Sequence, residues 1–400
     1  MKTILITTLF VCISFSFVCE TFSQWENIGF AGNPTVLTLA SSGSNLLAGT
    51  QCNGIYVSSD GGANWTQTFI SYKTVYSIAA KGNYVFVATD TTGVYYSTNY
   101  GMNWTQTSLN NQTVSALAAD ANNIYAGVGF IGVFISTNNG ANWTQTSLND
   151  KYVISIAISG NNIYAGIWGD GVYLSTNNGN VWTKTSLSYN YINTVAARGN
   201  YVYAGSGFGV HVSTDNGTNW MGPFINDKVV LGLAVDSNNV FAGTDFYGVY
   251  KSNDAGQNWM QRNENLLNIR VWSLFISGGY IYAGCYTSAG ASTVWKRELS
   301  DIISVNNLSK LVPEKYSLEQ NYPNPFNPVT AINFNIPKEE FVTLKIYDIL
   351  GREVQILVNE KLSAGYYNVK WNASGFVSGT YFCKMTTNNF SDVKRMILAK

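Results

Sequence analysis

Ser58-Ser-Asp60-Gly-Gly62-Ala-Asn-Trp65 decides how the chain is read. The same pattern returns as Ser97-Thr-Asn99-Tyr-Gly101-Met-Asn-Trp104, Ser136-Thr-Asn138-Asn-Gly140-Ala-Asn-Trp143 and Ser175-Thr-Asn177-Asn-Gly179-Asn-Val-Trp182. It returns again as Ser213-Thr-Asp215-Asn-Gly217-Thr-Asn-Trp220 and Ser252-Asn-Asp254-Ala-Gly256-Gln-Asn-Trp259. The carboxylate or amide oxygen at the third position can accept N–H groups of its own turn. Glycine supplies a positive φ, and tryptophan covers the turn. With Trp25 added, successive tryptophans stand 40, 39, 39, 39, 38 and 39 residues apart. So even a period marks a repeat architecture, a solenoid or a propeller.

Each repeat reads as four short strands. The first is Val75-Tyr-Ser-Ile-Ala-Ala80, with equivalents beginning at 36, 114, 153, 192, 230 and 271. The second is Ile124-Tyr-Ala-Gly127, with counterparts at 46, 85, 163, 202, 240 and 281. The third is Gly93-Val-Tyr-Tyr-Ser97, with counterparts at 54, 132, 171, 209 and 248 and a degraded one at 292–296. The fourth starts at the tryptophan. These runs are β-branched and aromatic, and Asn-Asn, Gly-Asn and Asn-Gly pairs separate them, which is hairpin chemistry. Four strands at a period near 40 describe a propeller blade. The first copy of the tryptophan strand, 24–30, precedes every other strand, and the last repeat has none of its own. The expected fold is therefore all-β: a seven-bladed β-propeller over 24–300, closed by its N-terminal strand. Trp295 falls at a third-strand position, not in the turn motif.

The repeated motif resembles the Asp-box, Ser-x-Asp-x-Gly-x-x-Trp, of sialidase-like and sortilin-like propellers, and the repeats resemble photosystem II assembly-factor-like proteins, which scaffold rather than catalyse. The resemblance implies a structural role for Asp60, Asn99, Asn138, Asn177, Asp215 and Asp254, on the side of the ring away from ligands. The Asn-Trp-Thr triplets match a glycosylation sequon only because the motif ends that way.

Composition excludes several function classes. The chain has 400 residues, 23 basic and 23 acidic side chains and one histidine. Zero net charge offers nucleic acid or an anionic membrane surface no electrostatic attraction. Aromatics make up 14% and charged residues only 12%, which excludes disorder for most of the length. Met1-Lys2 followed by an apolar run at 4–18 and small residues before Gln24 reads as a signal peptide, 1–23. The run is short of the roughly 20 residues a membrane span needs, and no transmembrane segment is expected later. Val18 is too large to precede a lipidated Cys19. Cys52, Cys285 and Cys383 remain. They form no CxxC, so neither a zinc site nor a disulfide framework is expected. Ring closure could bring Cys52 near Cys285, against the simpler reading of buried thiols. No metal or cofactor is expected.

Five of the seven prolines fall between 313 and 337. Residues 301–315 read as a linker, and 316–400 as a small immunoglobulin-like β-sandwich of alternating short strands. Tyr322-Pro-Asn-Pro-Phe-Asn-Pro328, Ile346-Tyr-Asp-Ile-Leu-Gly-Arg-Glu-Val354, Ala364-Gly-Tyr-Tyr367, Ser378-Gly-Thr-Tyr-Phe382 and the basic end at Lys394-Arg395 and Lys400 resemble the type A C-terminal sorting domain of the type IX secretion system. That implies export through the periplasm to the surface of a Gram-negative bacterium or beyond it, with the secretion machinery as partner of 316–400.

Propeller ligands sit on the face built by second-to-third-strand loops and between-blade loops. Here those loops carry Tyr72, Phe130, Tyr152, Trp168, Tyr189, Tyr191, Phe208, Phe246, Tyr247 and Tyr286, with Asp90, Asp150, Asp170, Asp227, Asp245 and Glu264. Trp168 with Asp170, and Tyr247 with Asp245, pair a ring with an acceptor, as sugar recognition does. Phe130 and Phe208 extend the expected ligand site. For each ring the competing reading is packing between blades. The expectation is a secreted or surface recognition propeller for glycan or protein. The alternative is a secreted polysaccharide-degrading glycosidase using Asp90, Asp170 or Asp245, since that chemistry needs two carboxylates across the bond. Too few arginines face the ligand side for a sialidase. His211 replaces the Tyr or Phe of other third strands and reads as a core position.

Overall fold

A computed structural model describes residues 24–29, 34–68, 72–187, 191–236, 239–267, 270–286, 294–299, 306–309, 313–362 and 364–400. The expected signal peptide, Tyr189 and much of the expected linker lie outside them.

Seven four-stranded antiparallel sheets form the blades of a β-propeller. Blade one runs Val36–Ser42, Asn45–Thr50, Ile55–Ser58 and Thr66–Gln67. Blades two to six repeat this order from Val75, Val114, Val153, Ile192 and Val230. Blade seven has Val271–Ser277, Tyr280–Cys285 and Val294–Glu298, and takes Glu26–Asn27 as its outer strand. Glu26 faces Lys296 and Asn27 faces Trp295. The pairing is short, and side chains secure it. Trp25 is fully buried and donates from Nε1 to the Arg262 carbonyl at 2.7 Å, while its own N–H reaches the Glu264 carbonyl at 3.1 Å. Trp295 is buried within its strand.

Second strands are buried on both faces, as their unbroken apolar runs require. Their glycines set the blade spacing. A Cβ at Gly49, Gly127, Gly205, Gly243 or Gly284 would stand 2.6 to 2.7 Å from Val75, Val153, Val230, Val271 or Val36 of the following blade. First strands share one bulge, which leaves Leu37, Tyr76, Ser115, Ile154, Asn193, Leu231 and Trp272 outside the ladder. Outer strands begin one residue after the expected tryptophan, and in most blades only two residues pair. The tryptophan belongs to the turn and packs toward the preceding blade: Trp104 and Trp182 donate to the hydroxyls of Thr68 and Thr146.

In the turn itself serine accepts the glycine N–H, at 2.8 Å for Ser58 and Gly62, and donates to the Asp or Asn oxygen. That oxygen accepts the N–H four residues on, in all six copies. Where the residue is Asp, its second oxygen also takes the side chain of Asn64, Asn219 or Asn258. The Asn64 amides and the Ser58 hydroxyl hold the Asp60 carboxyl down to about 2. The residue between acceptor and glycine is also left-handed, from Tyr100 at φ 59 to Ala255 at φ 58.

The C-terminal part packs two four-stranded sheets around one core that includes Phe326, Phe334, Leu344, Trp371 and Met396. Within the expected linker, Asn306–Ser309 forms a strand that pairs with Gly365–Asn372. None of Cys52, Cys285 and Cys383 is in a disulfide: Cys52 is exposed in a loop and Cys285 is buried in a strand, so the two do not pair.

Candidate functional site

One hydrogen bond, repeated seven times, builds the ligand-side face. The first loop residue after each second strand donates its N–H to the carbonyl preceding that blade's first strand. The pairs are Gln51 to Thr35, Asp90 to Thr74, Gly129 to Thr113, Trp168 to Tyr152, Gly207 to Tyr191, Asp245 to Val229 and Tyr286 to Arg270, at 2.9 to 3.1 Å. The scaffold is the same throughout, and its decoration is not. Blades one to three carry threonine before the first strand, while blades four to seven carry Tyr152, Tyr191, Val229 and Arg270.

From the blade-three loop to the blade-five loop the rings form an arc. Phe130 and Tyr152 lie 4.7 Å apart between centroids, and Tyr152 meets Trp168 edge-on at 6.3 Å. Trp168 bridges to Tyr191 through the backbone, and Tyr191 tilts against Phe208 at 6.3 Å. Phe130 is 68% exposed and Trp168 54%. Phe208, Phe246 and Tyr247 are exposed too. These rings touch each other without being consumed by the core. Tyr76 leaves the blade-two bulge at the inner edge of the same face. Burial and then the charge of Asp90 raise its hydroxyl pKa, with Tyr152 of blade four and Cys52 of blade one also in electrostatic reach.

The carboxylates are engaged. Asp170 does not stand beside the inner ring but at the third loop position, toward the outer strand. Its Oδ2 meets Lys151 at 2.6 Å and the Tyr173 hydroxyl at 2.8 Å, and its Oδ1 meets Lys184 at 2.5 Å. Partial burial works against the charge, but the hydrogen bonds from Lys151, Lys184 and Tyr173 outweigh it and hold the carboxyl far below the usual range. Lys184 stands where other blades place Gln67, Gln106, Gln145 and Gln261, each donating to a carbonyl of its own loop. Asp245 holds the first loop position, as Asp90 does. It lies 2.6 Å from Arg270 Nε, off the alignment of a hydrogen bond. Asp90 accepts the Thr74 N–H at 3.2 Å. Glu264 leaves the rim for the closure seam, paired with Arg297 at 2.5 Å. The two expected ring–acceptor pairs therefore run in opposite senses: Trp168 is inner and Asp170 outer, while Asp245 is inner and Tyr247 outer.

Blade six holds the most built loop. The Tyr247 carbonyl accepts from Gln261 at 2.6 Å and from Asn263 at 2.9 Å, and Asn263 Oδ1 takes the Val249 N–H at 2.8 Å. A Cβ on Gly248 would collide with Asn263 at 2.1 Å. Phe246 sits at φ 66, a rare state for a bulky residue. The Arg270 guanidinium lies 4.9 Å from the rings of both Phe246 and Tyr286 and 5.4 Å from that of Trp272, and Lys228 stands 4.1 Å over Tyr247. Phe246, Tyr247 and Tyr286 are expected on this face from the sequence, whereas neither Arg270 nor Lys228 is assigned to it there. The available signal was Arg270 standing where blades one to three have threonine.

Among the described residues no group of three or more His, Cys, Asp or Glu is placed to hold a metal ion, and no helix is long and apolar enough to cross a membrane.

Residues 320–399 match the family model of the secretion system C-terminal sorting domain. That domain directs its chain through the type IX machinery, so the protein is exported to the cell surface or secreted. No curated protein sequence matches the chain. Among solved structures, YCF48 bound to D1 peptide is 16% identical with a TM-score of 0.58, over 70% of this chain and 97% of that one. PorZ, an essential surface component of the type IX system of Porphyromonas gingivalis, is 17% identical with a TM-score of 0.55, over 92% of this chain. The extracellular domain of a hybrid two-component system from B. thetaiotaomicron is 14% identical with a TM-score of 0.57, over 93% of this chain. The chain spans only 60% and 56% of the last two. At these identities the likeness is one of fold.

Proposed function

We propose that the protein is an exported recognition or adhesion propeller that holds a glycan on its aromatic face. The carrying observation is the arc from Phe130 through the half-buried Tyr152 to the exposed Trp168, Tyr191 and Phe208. Flat exposed rings cover the C–H faces of sugars. A purely structural set would be buried. In the glycosidase alternative Asp170 is left only the base or nucleophile role, because a general acid must hold a proton near neutral pH and Asp170 is clamped ionised between two lysines.

In a glycan and peptide binding screen of the full chain, Trp168→Ala weakens the bound glycan by roughly 1–3 kcal/mol, the value of burying one large side chain, and leaves the melting temperature unchanged. Full affinity with lost stability would instead place the ring in the fold. A peptide captured in place of sugars would replace the glycan, and reducing-sugar release that Asp170→Asn abolishes would restore the glycosidase.

A further inference from the structure

The blade-six side of the face has a chemistry of its own, and its interpretation rests on the glycan reading above. Phe246 and Tyr247 are neighbouring exposed rings, and each is paired with a different cation. Arg270 lies against Phe246, and Lys228 lies over Tyr247. Asp245 approaches Arg270 at Nε as an ion pair without an aligned hydrogen bond, and a guanidinium also carries a fork of terminal nitrogens. That fork grips a carboxylate through two parallel hydrogen bonds. We propose that Arg270 against Phe246 and Tyr286, and Lys228 over Tyr247 on the other side of the same loop, form two separate cationic footholds for an acidic saccharide, a chain containing uronate sugars whose successive carboxylates they meet.

The pairing selects a sugar acid over its competitors. A uronate carries a carboxylate and a flat C–H face on one ring, which matches a cation beside an exposed aromatic ring. A neutral sugar satisfies the rings and leaves the cations unused. An acidic peptide side chain satisfies the cations but has no such face, and it brings backbone amides that need partners once desolvated. The loop is also set before any ligand arrives. Gln261 and Asn263 both hold the Tyr247 carbonyl, and Phe246 is kept in a left-handed conformation that points to an imposed constraint. Little ordering is left to charge against binding.

The test is calorimetric titration of the full chain with hexamers of galacturonate and of mannuronate, each beside its methyl ester, and with a poly-glutamate peptide. The ester keeps the sugar and removes the charge. At least one acid hexamer is expected to bind ten-fold or more tighter than its ester in dilute buffer, and the gap should narrow in 0.5 M salt as screening shortens the reach of the cations. Lys228→Gln and Arg270→Gln should each lower the acid toward the ester and leave ester affinity unchanged. Because Arg270→Gln strands Asp245, the double change Arg270→Gln with Asp245→Asn keeps the result readable. Equal binding of acid and ester overturns the cationic footholds while the glycan reading stands. Binding of no sugar, or of poly-glutamate in preference, overturns both.

Discussion

At the scale of single residues the repeat tolerates exceptions only where the surroundings absorb them, and His211 is the clearest. It occupies the third-strand site that Tyr95, Phe134, Tyr173 and Tyr250 fill elsewhere. It is 4% exposed, with Nε2 3.3 Å from the Ser206 hydroxyl. Burial holds its imidazole down to about 4. An unfolded histidine titrates near 6.5, so between the two values the unfolded chain takes a proton that the folded chain refuses. Stability then falls as pH drops, by roughly 2 kcal/mol from about pH 7.5 to about pH 5. His211→Phe should remove that part of the acid sensitivity, read as the difference between the two proteins' denaturation midpoints at the two pH values. An equal pH dependence would show that the ring protonates in place.

At the scale of elements, spacing between blades rests on what second strands lack. A Cβ at Gly205 would lie 2.6 Å from both Thr194 and Val230, so Gly205→Val should cost about 1–3 kcal/mol by overpacking. A chemical denaturation midpoint matching the parent's would mean that the blades can slide apart. Strands, blade count and closure were legible in the sequence because each depends on residue type at a fixed period, and one repeat corrects another. The loops were legible only in part. Their rings could be named, but what faces them comes from elsewhere: Lys184 from an outer strand, Lys151 and Arg270 from between-blade segments. Asp170 and Asp245 look alike as loop acids, yet one is the third loop residue and the other the first, and that offset turns them to opposite sides of the loop. The substitutions that signal this, Lys184 where most blades have glutamine and Arg270 where three blades have threonine, are visible only once the repeats are laid in register.

At the scale of the whole molecule, the ring is closed by a strand of two paired residues, with Trp25 and Ile28 buried on either side of it. Truncating a buried aromatic to alanine costs about 3–5 kcal/mol where the site cannot collapse. Trp25→Ala should therefore lower the melting temperature sharply and expose blade seven first, seen as early hydrogen exchange in Val294–Glu298. An unshifted melt would mean that the seam between Gly284 and Val36 is enough. The uneven decoration of the face bears on valency. Seven equal loops would offer seven equal footholds, whereas a ligand kept by the arc meets this molecule once. A single encounter of that kind is readily reversed. Durable attachment would come from density, with many copies displayed side by side and a polymer long enough to bridge them, so that each release is followed by recapture at a neighbour.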